Sequence, residues 1–211
     1  VRTEEFIRAL AADRAVEIRP GLAFGLALAA GAVIAATVFL LALGVRPDIL
    51  AVLHTVRFPF KFVVTIALFA AGLRVALALA RPGGDAAAAA RLLAVPALLI
   101  GGALVIELAV VPTAAWGPRL IGSNATVCLS AIPVIAIGPL VAILLALRSG
   151  APTAPRRAGA SAGLVAAALA ATFYAAHCTD DSPLFVATWY SLAIAFVVAV
   201  GALLGPRVLR W

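Results

Sequence analysis

The sequence predicts an all-α fold, an integral membrane bundle of six transmembrane helices preceded by a short amphipathic N-terminal cytoplasmic helix. Three observations predict it. Of 211 residues, 65% are hydrophobic and only 12% charged, against roughly half and a quarter in globular proteins. Six apolar runs each approach the roughly 20 residues that cross a hydrocarbon core. Between the runs, helix breakers coincide with charge. Nine acidic and 16 basic residues cannot coat the surface of a soluble domain of this length, so the solvent is lipid.

The runs are Gly21 to Val45, Phe62 to Ala80, Leu92 to Val111, Ala125 to Leu147, Ala158 to Ala176 and Phe185 to Leu204. None alternates polar and apolar residues as outer-membrane strands do. A charge-mixed stretch precedes the first run, which is too long for a signal-peptide core, so it is expected to stay as a span. The chain opens on Val1 and contains no Met, as expected of a non-AUG start or a trimmed chain. Arg46-Pro47-Asp48, Arg81-Pro82-Gly83-Gly84-Asp85, Pro118-Arg119, Arg148 through Arg157, Asp180-Asp181-Ser182-Pro183 and Gly205-Pro206-Arg207 read as turns at the water interface. Ser182 before Pro183 has the form of an N-cap and first-turn proline, with Asp180 and Asp181 placed to favour the same helix end. Residues 1–20 thus form a cytoplasmic docking segment and residues 21–211 the membrane domain. No connection leaves room for a soluble catalytic domain, and the chain is not expected to be an enzyme.

Orientation follows from the basic residues. With the N-terminus inside, Arg2, Arg8, Arg14, Arg19, Arg81, Arg91, Arg148, Arg156, Arg157, Arg207 and Arg210 are cytoplasmic. Arg46, Arg57, Lys61 and Arg119 are outside, and Arg74 lies within a span. Eleven against four places both termini in the cytoplasm by the positive-inside rule. The net charge of +7 is scattered along the chain, which speaks for membrane orientation and against direct nucleic-acid binding.

Cys128, about one turn into the fourth span, and Cys178, in the loop after the fifth, then face the same outer compartment. An oxidising compartment permits a disulfide or a reversible dithiol switch; two buried packing thiols are the alternative. A third reading joins His177, Cys178, Cys128 and Asp180, with His54 nearby, around a soft or borderline cation. No resident cofactor is expected beyond such a transient metal at Cys128 and Cys178. Of the ionisable residues inside spans, Glu107 and Lys61 lie at compatible depths and are expected to form an ion pair. Arg74 is expected to snorkel or to make an interhelical contact. Gly21-x-x-x-Gly25 and Gly159-x-x-x-Gly163 predict close helix packing, with a homodimer as a further possibility.

In the first 20 residues, Phe6, Ile7, Leu10 and Ala11 share an arc of about 140° on a helix, with charges opposite. Four acids and four arginines cancel, so the segment lacks the polybasic bias of one held by anionic lipid. It reads as a protein-docking helix, with Phe6, Ile7 and Leu10 as apolar contacts and Arg8 and Arg14 as charged ones. Burying the three apolar side chains contributes roughly 5 to 9 kcal/mol before ordering costs. An interfacial helix lying on membrane lipid is the alternative.

The opening "RTEEFIRALAADRAVEIRP", the "RFPFKF" entry to the second span and above all "HCTDDSPLFVATWYSLAIAFVVAVGALLGPRVLRW" resemble the NrsF family of six-helix bacterial inner-membrane anti-sigma factors. The resemblance spans essentially the whole chain. It implies that the N-terminal segment holds an extracytoplasmic-function sigma factor at the membrane. It also implies that Cys128 and Cys178, on the periplasmic side, sense redox or metal stress. A small transporter or a membrane thiol oxidoreductase are the competing classes, but the spans offer few midplane polar groups and only two cysteines.

Overall fold

The computed structural model describes residues 2–5, 20–81, 83–150 and 152–210. Phe6, Ile7, Arg8, Leu10 and Arg14, the expected docking contacts, lie outside the described residues. Six helices are long and apolar enough to cross a membrane, in agreement with the six runs. We label their principal segments α1 (Pro20–Ala42), α2 (Arg57–Leu79), α3 (Ala94–Val110), α4 (Ala125–Arg148), α5 (Pro155–Ala175) and α6 (Ser191–Val208). No strand occurs among the described residues.

The arrangement follows side-chain size more than hydrophobicity. In lipid, apolarity gives helices no reason to prefer one another over acyl chains, so close packing of small residues decides who sits at the centre. Helix α5 is the least apolar of the six spans and by far the most buried. Its Ala and Gly residues let α6, α2, α4 and α1 all approach it. The tightest contact is with α6, where Gly159 and Gly163 oppose Gly201 and Gly205. A Cβ on Gly159 would overlap the Gly201 carbonyl oxygen and stand 2.7 Å from Gly205 Cα. The Gly159 spacing thus packs two helices as expected, and its partner spacing on α6 was not singled out in the sequence. Gly21 and Gly25 differ: a Cβ on either meets nothing within 4 Å, so this spacing takes no part in packing the bundle.

Helix α1 crosses α4 at Gly31, where an added Cβ would come within 2.9 Å of Pro139 Cα. Helix α3 is the outlying member, with only Pro96 and Glu107 buried. After α2 the chain turns through Gly83, whose φ of +78° favours glycine, into Gly84, packed against the Ala78 carbonyl. A short helix, Ala86–Arg91, follows, its N-terminus capped by Asp85 accepting from Ala88 N–H at 2.8 Å. The last span begins as expected, with Ser182 accepting from Leu184 N–H at 3.2 Å and Pro183 in the first turn. A π-helical stretch, Val186–Tyr190, leads into α6.

An alanine in an exposed helix ordinarily gains stability over glycine. Gly159→Ala and Gly201→Ala are expected to lower stability in detergent by about 1–3 kcal/mol or more through overpacking. Gly25→Ala should leave it unchanged or raised. Thermal unfolding of the three variants checks the assignment, and equal effects at Gly25 and Gly159 would contradict it.

Candidate functional site

The up-and-down threading brings six chain segments to one end of the bundle. They are the loop after α1, the start of α2, the end of α3, the start of α4, the end of α5 and the approach to α6. All four basic residues expected on the outer side sit here: Arg46, Arg57, Lys61 and Arg119. Four carboxylates, Asp48, Glu107, Asp180 and Asp181, lie at the same end, so it is neutral overall.

Lys61 is 1% exposed, and its Nζ reaches Asp181 at 2.6 Å while donating to the Cys178 carbonyl at 2.8 Å. Arg46, 6% exposed, grips Asp48 in a two-pronged contact, with Nε and Nη2 each donating at 2.7 Å. Its Nη1 donates to Asp181 at 3.1 Å and to the same Cys178 carbonyl at 3.2 Å. Both cations lie over the Phe58 ring, at 5.6 and 5.3 Å from its centre. The Asp48 contact holds the Arg46 charge firmly, and the Arg46 hydrogen bonds keep the Asp48 carboxyl below its usual range.

The ion pair expected between Lys61 and Glu107 is not formed, because each has a nearer partner. Glu107 accepts from Arg119 at 2.8 Å, lies 3.6 Å from Arg57, and accepts from Ser182 Oγ at 2.8 Å and Leu184 N–H at 3.2 Å. Depth along the helices was compatible; what sequence spacing could not tell is which neighbour each helix faces. Glu107 thereby ties α3 to the start of α6.

Asp180 and Asp181, expected to serve the last helix, serve other elements. Asp180 accepts from the Ser123 and Asn124 N–H groups at 3.0 and 2.8 Å, and from Asn124 Nδ2 at 2.9 Å, at the start of α4. Its approach depends on Gly122, φ +59°, where a Cβ would stand 2.8 Å from Asp180 Cγ. The sequence signal was present but unspecific: Gly122-Ser123-Asn124 and Asp180-Asp181-Ser182 are turn formers at helix boundaries.

Beneath this polar layer sit the two cysteines. Both are fully buried and free. Cys178 Sγ contacts the Asp180 carbonyl at 3.7 Å. Burial pushes the Cys178 thiol up, with Lys61 opposing, so it is protonated at neutral pH. Tyr174 and Tyr190 complete the pocket, 5.6 Å apart between ring centres. Tyr174 donates weakly to the Asn124 carbonyl at 3.4 Å, whereas the Tyr190 hydroxyl has no hydrogen-bond partner among the described residues.

The expected metal set is not assembled. Among the described residues no three His, Cys, Asp or Glu side chains stand together as ligands would. His177 Nδ1 is engaged 3.1 Å from the Gly44 carbonyl, His54 is exposed in its loop, and Asp180 is committed to the start of α4. Trp189 donates to the Leu120 carbonyl at 2.7 Å, fixing the short helix Trp116–Ile121 against the last span.

The fold defines a multi-pass α-helical membrane protein with buried ion pairs and two buried thiols at one end. The chain belongs to the NrsF family, negative regulators of sigma F, whose pattern matches residues 10–211. It is therefore a member of an anti-sigma factor family. It is 45% identical over 49 residues to a probable anti-sigma-F factor NrsF of Azospira oryzae, a stretch that covers 23% of each chain. No solved structure matches it.

Two outcomes are expected. Asp181→Asn leaves Lys61 and Arg46 without their shared carboxylate and should cost about 3 kcal/mol or more, since breaking a buried pair strands a charge. Asp48→Asn, on the exposed side of Arg46, should cost much less by the same thermal assay. Separately, alkylation of the native protein at neutral pH should run at least about tenfold slower than in SDS, because both thiols are buried. Equal rates would contradict that burial.

Proposed function

We propose that this chain holds a sigma factor of the extracytoplasmic-function class at the bacterial inner membrane through its N-terminal segment. In this reading both termini are cytoplasmic and the Cys128 and Cys178 end is periplasmic. Family membership supports the sigma partner. The charge asymmetry supports the orientation: the neutral, ion-paired end contrasts with an opposite end rich in arginine.

The observation that carries the sensing part is the position of Cys178. Its carbonyl accepts from both Lys61 and Arg46, and the Arg46 N–H donates to the Ala176 carbonyl at 3.1 Å. Arg46 lies four residues after α1 ends at Ala42, and the other end of α1 adjoins the N-terminal segment in sequence. A change in the Cys178 backbone is thus passed to the helix that carries the grip. Oxidation by a peroxide-class oxidant joins the two sulfurs, with two protons and two electrons passing to the oxidant. Bringing the sulfurs into bonding geometry moves the start of α4 against the end of α5. To reverse a grip fully, the two packings must differ in partner affinity by about 5.5 kcal/mol. Phe6, Ile7 and Leu10 provide the apolar docking surface, and Arg8 and Arg14 flank it.

Co-purification of a sigma factor with the intact chain tests the grip. Phe6→Asp combined with Leu10→Asp should abolish it, and retention of the partner would exclude the docking segment. Cys128→Ser and Cys178→Ser should each bind the partner as wild type does yet no longer change affinity on peroxide treatment. A variant that still responds would remove the thiols from the mechanism.

A further inference from the structure

At the opposite end of the bundle the basic residues are treated differently. None of Arg74, Arg81, Arg91, Arg148, Arg156 and Arg157 forms an ion pair among the described residues. Two of them line one recess of about 500 Å³, between the last turns of α2 and the segment Gly84 to Leu92. Arg74 and Arg81 are seven residues apart, which at 100° per residue returns to nearly the same face of the helix. Along the axis they are separated by about 10 Å. Both are exposed, and Arg74 makes no hydrogen bond or ion pair with any described residue.

A guanidinium keeps its charge at any accessible pH, so Arg74 cannot escape the cost of its depth by losing a proton. The recess contains one acid, Asp85, whose carboxylate is occupied in capping the Ala86–Arg91 helix. Two forked donors at different depths therefore face a space with no committed anion. Leu77, Ala78 and Ala88 line the rest of it, apolar and mostly small. The turn at Gly83 and Gly84 folds this segment back against α2 and so shapes the recess.

We propose that this recess binds an anionic phospholipid, with Arg74 reaching up and Arg81 across to one headgroup phosphate and the acyl chains lying along the apolar wall. The occupant is a lipid because Arg74 lies inside the span, five residues before α2 ends at Leu79, where a phosphate arrives tethered to its acyl chains. Planar guanidiniums match phosphate oxygens with paired hydrogen bonds. Basic recesses between transmembrane helices suit anionic headgroups in this manner.

The test titrates the delipidated full chain in a neutral detergent with phosphatidylglycerol, phosphatidylcholine or inorganic phosphate, reading thermal stability and bound lipid by native mass spectrometry. For the wild type, phosphatidylglycerol should bind at least about tenfold more tightly than phosphatidylcholine, the scale of a hydrogen-bonded charged contact. Arg74→Gln and Arg81→Gln should each lose that preference. Arg91→Gln, carrying a nearby arginine outside the recess, should keep it. Arg74→Lys preserves the charge without the fork and serves if the glutamine variant does not fold; it should show a reduced preference. Unchanged selectivity in the Arg74 variants, or equal loss in Arg91→Gln, would overturn the site. Equal protection by inorganic phosphate would show a free-anion site and overturn the lipid assignment.

Discussion

Two carboxylates, the half-buried Asp181 and the buried Glu107, hold one end of this bundle together. Each is shared by two cations from elsewhere in the chain: Lys61 and Arg46 for Asp181, Arg119 and Arg57 for Glu107. A charge taken out of water is tolerated only when paired and hydrogen-bonded, so each carboxylate constrains the position of every element that supplies a partner. Through them the loop after α1, the start of α2, the end of α3 and the approach to α6 are fixed relative to one another. Helix α3, which buries little else, depends on Glu107 for its place.

Packing and polarity divide the work along the membrane normal. In the apolar span, backbones meet where glycine and alanine permit, and the Gly159, Gly163, Gly201 and Gly205 contact joins α5 to α6. At the ion-paired end, directional bonds set the register that small residues alone would leave loose. The other end keeps the glycine contact, with Gly159 near the start of α5 and Gly205 near the end of α6, but has no comparable set of ion pairs among the described residues. Among the described residues Arg74, Arg81, Arg91, Arg148, Arg156 and Arg157 form no ion pair there, and that asymmetry is the feature on which the proposed orientation and lipid recess rest.

The thiols sit where these two regimes meet. Cys178 belongs to a loop whose carbonyl is held by two cations, while its side chain points into a pocket closed by Tyr174, Tyr190 and Cys128. A side chain embedded in apolar packing and a backbone embedded in ion pairs make its position sensitive to a new covalent bond. Helix α1 ends at Ala42, four residues before Arg46, so a single span connects this end of the bundle to the other.

Much of the architecture was legible in the sequence, for a specific reason. Lipid requires each crossing to satisfy its own backbone hydrogen bonds, so length and apolarity alone mark the six spans, and Pro, Gly and charge mark their ends. The Ser182 cap and the placement of Cys128 and Cys178 at one end follow from the same local rules and from counting crossings. The partners of Lys61, Glu107, Asp180 and Asp181 do not, because they depend on which helix faces which. That choice was made by small-residue contacts distributed over α5 and by Gly122, whose backbone alone admits Asp180. Chain order determined which residues share an end of the bundle; only tertiary packing decided which of them touch, since a buried charge takes whichever opposite charge the helix neighbours bring within reach.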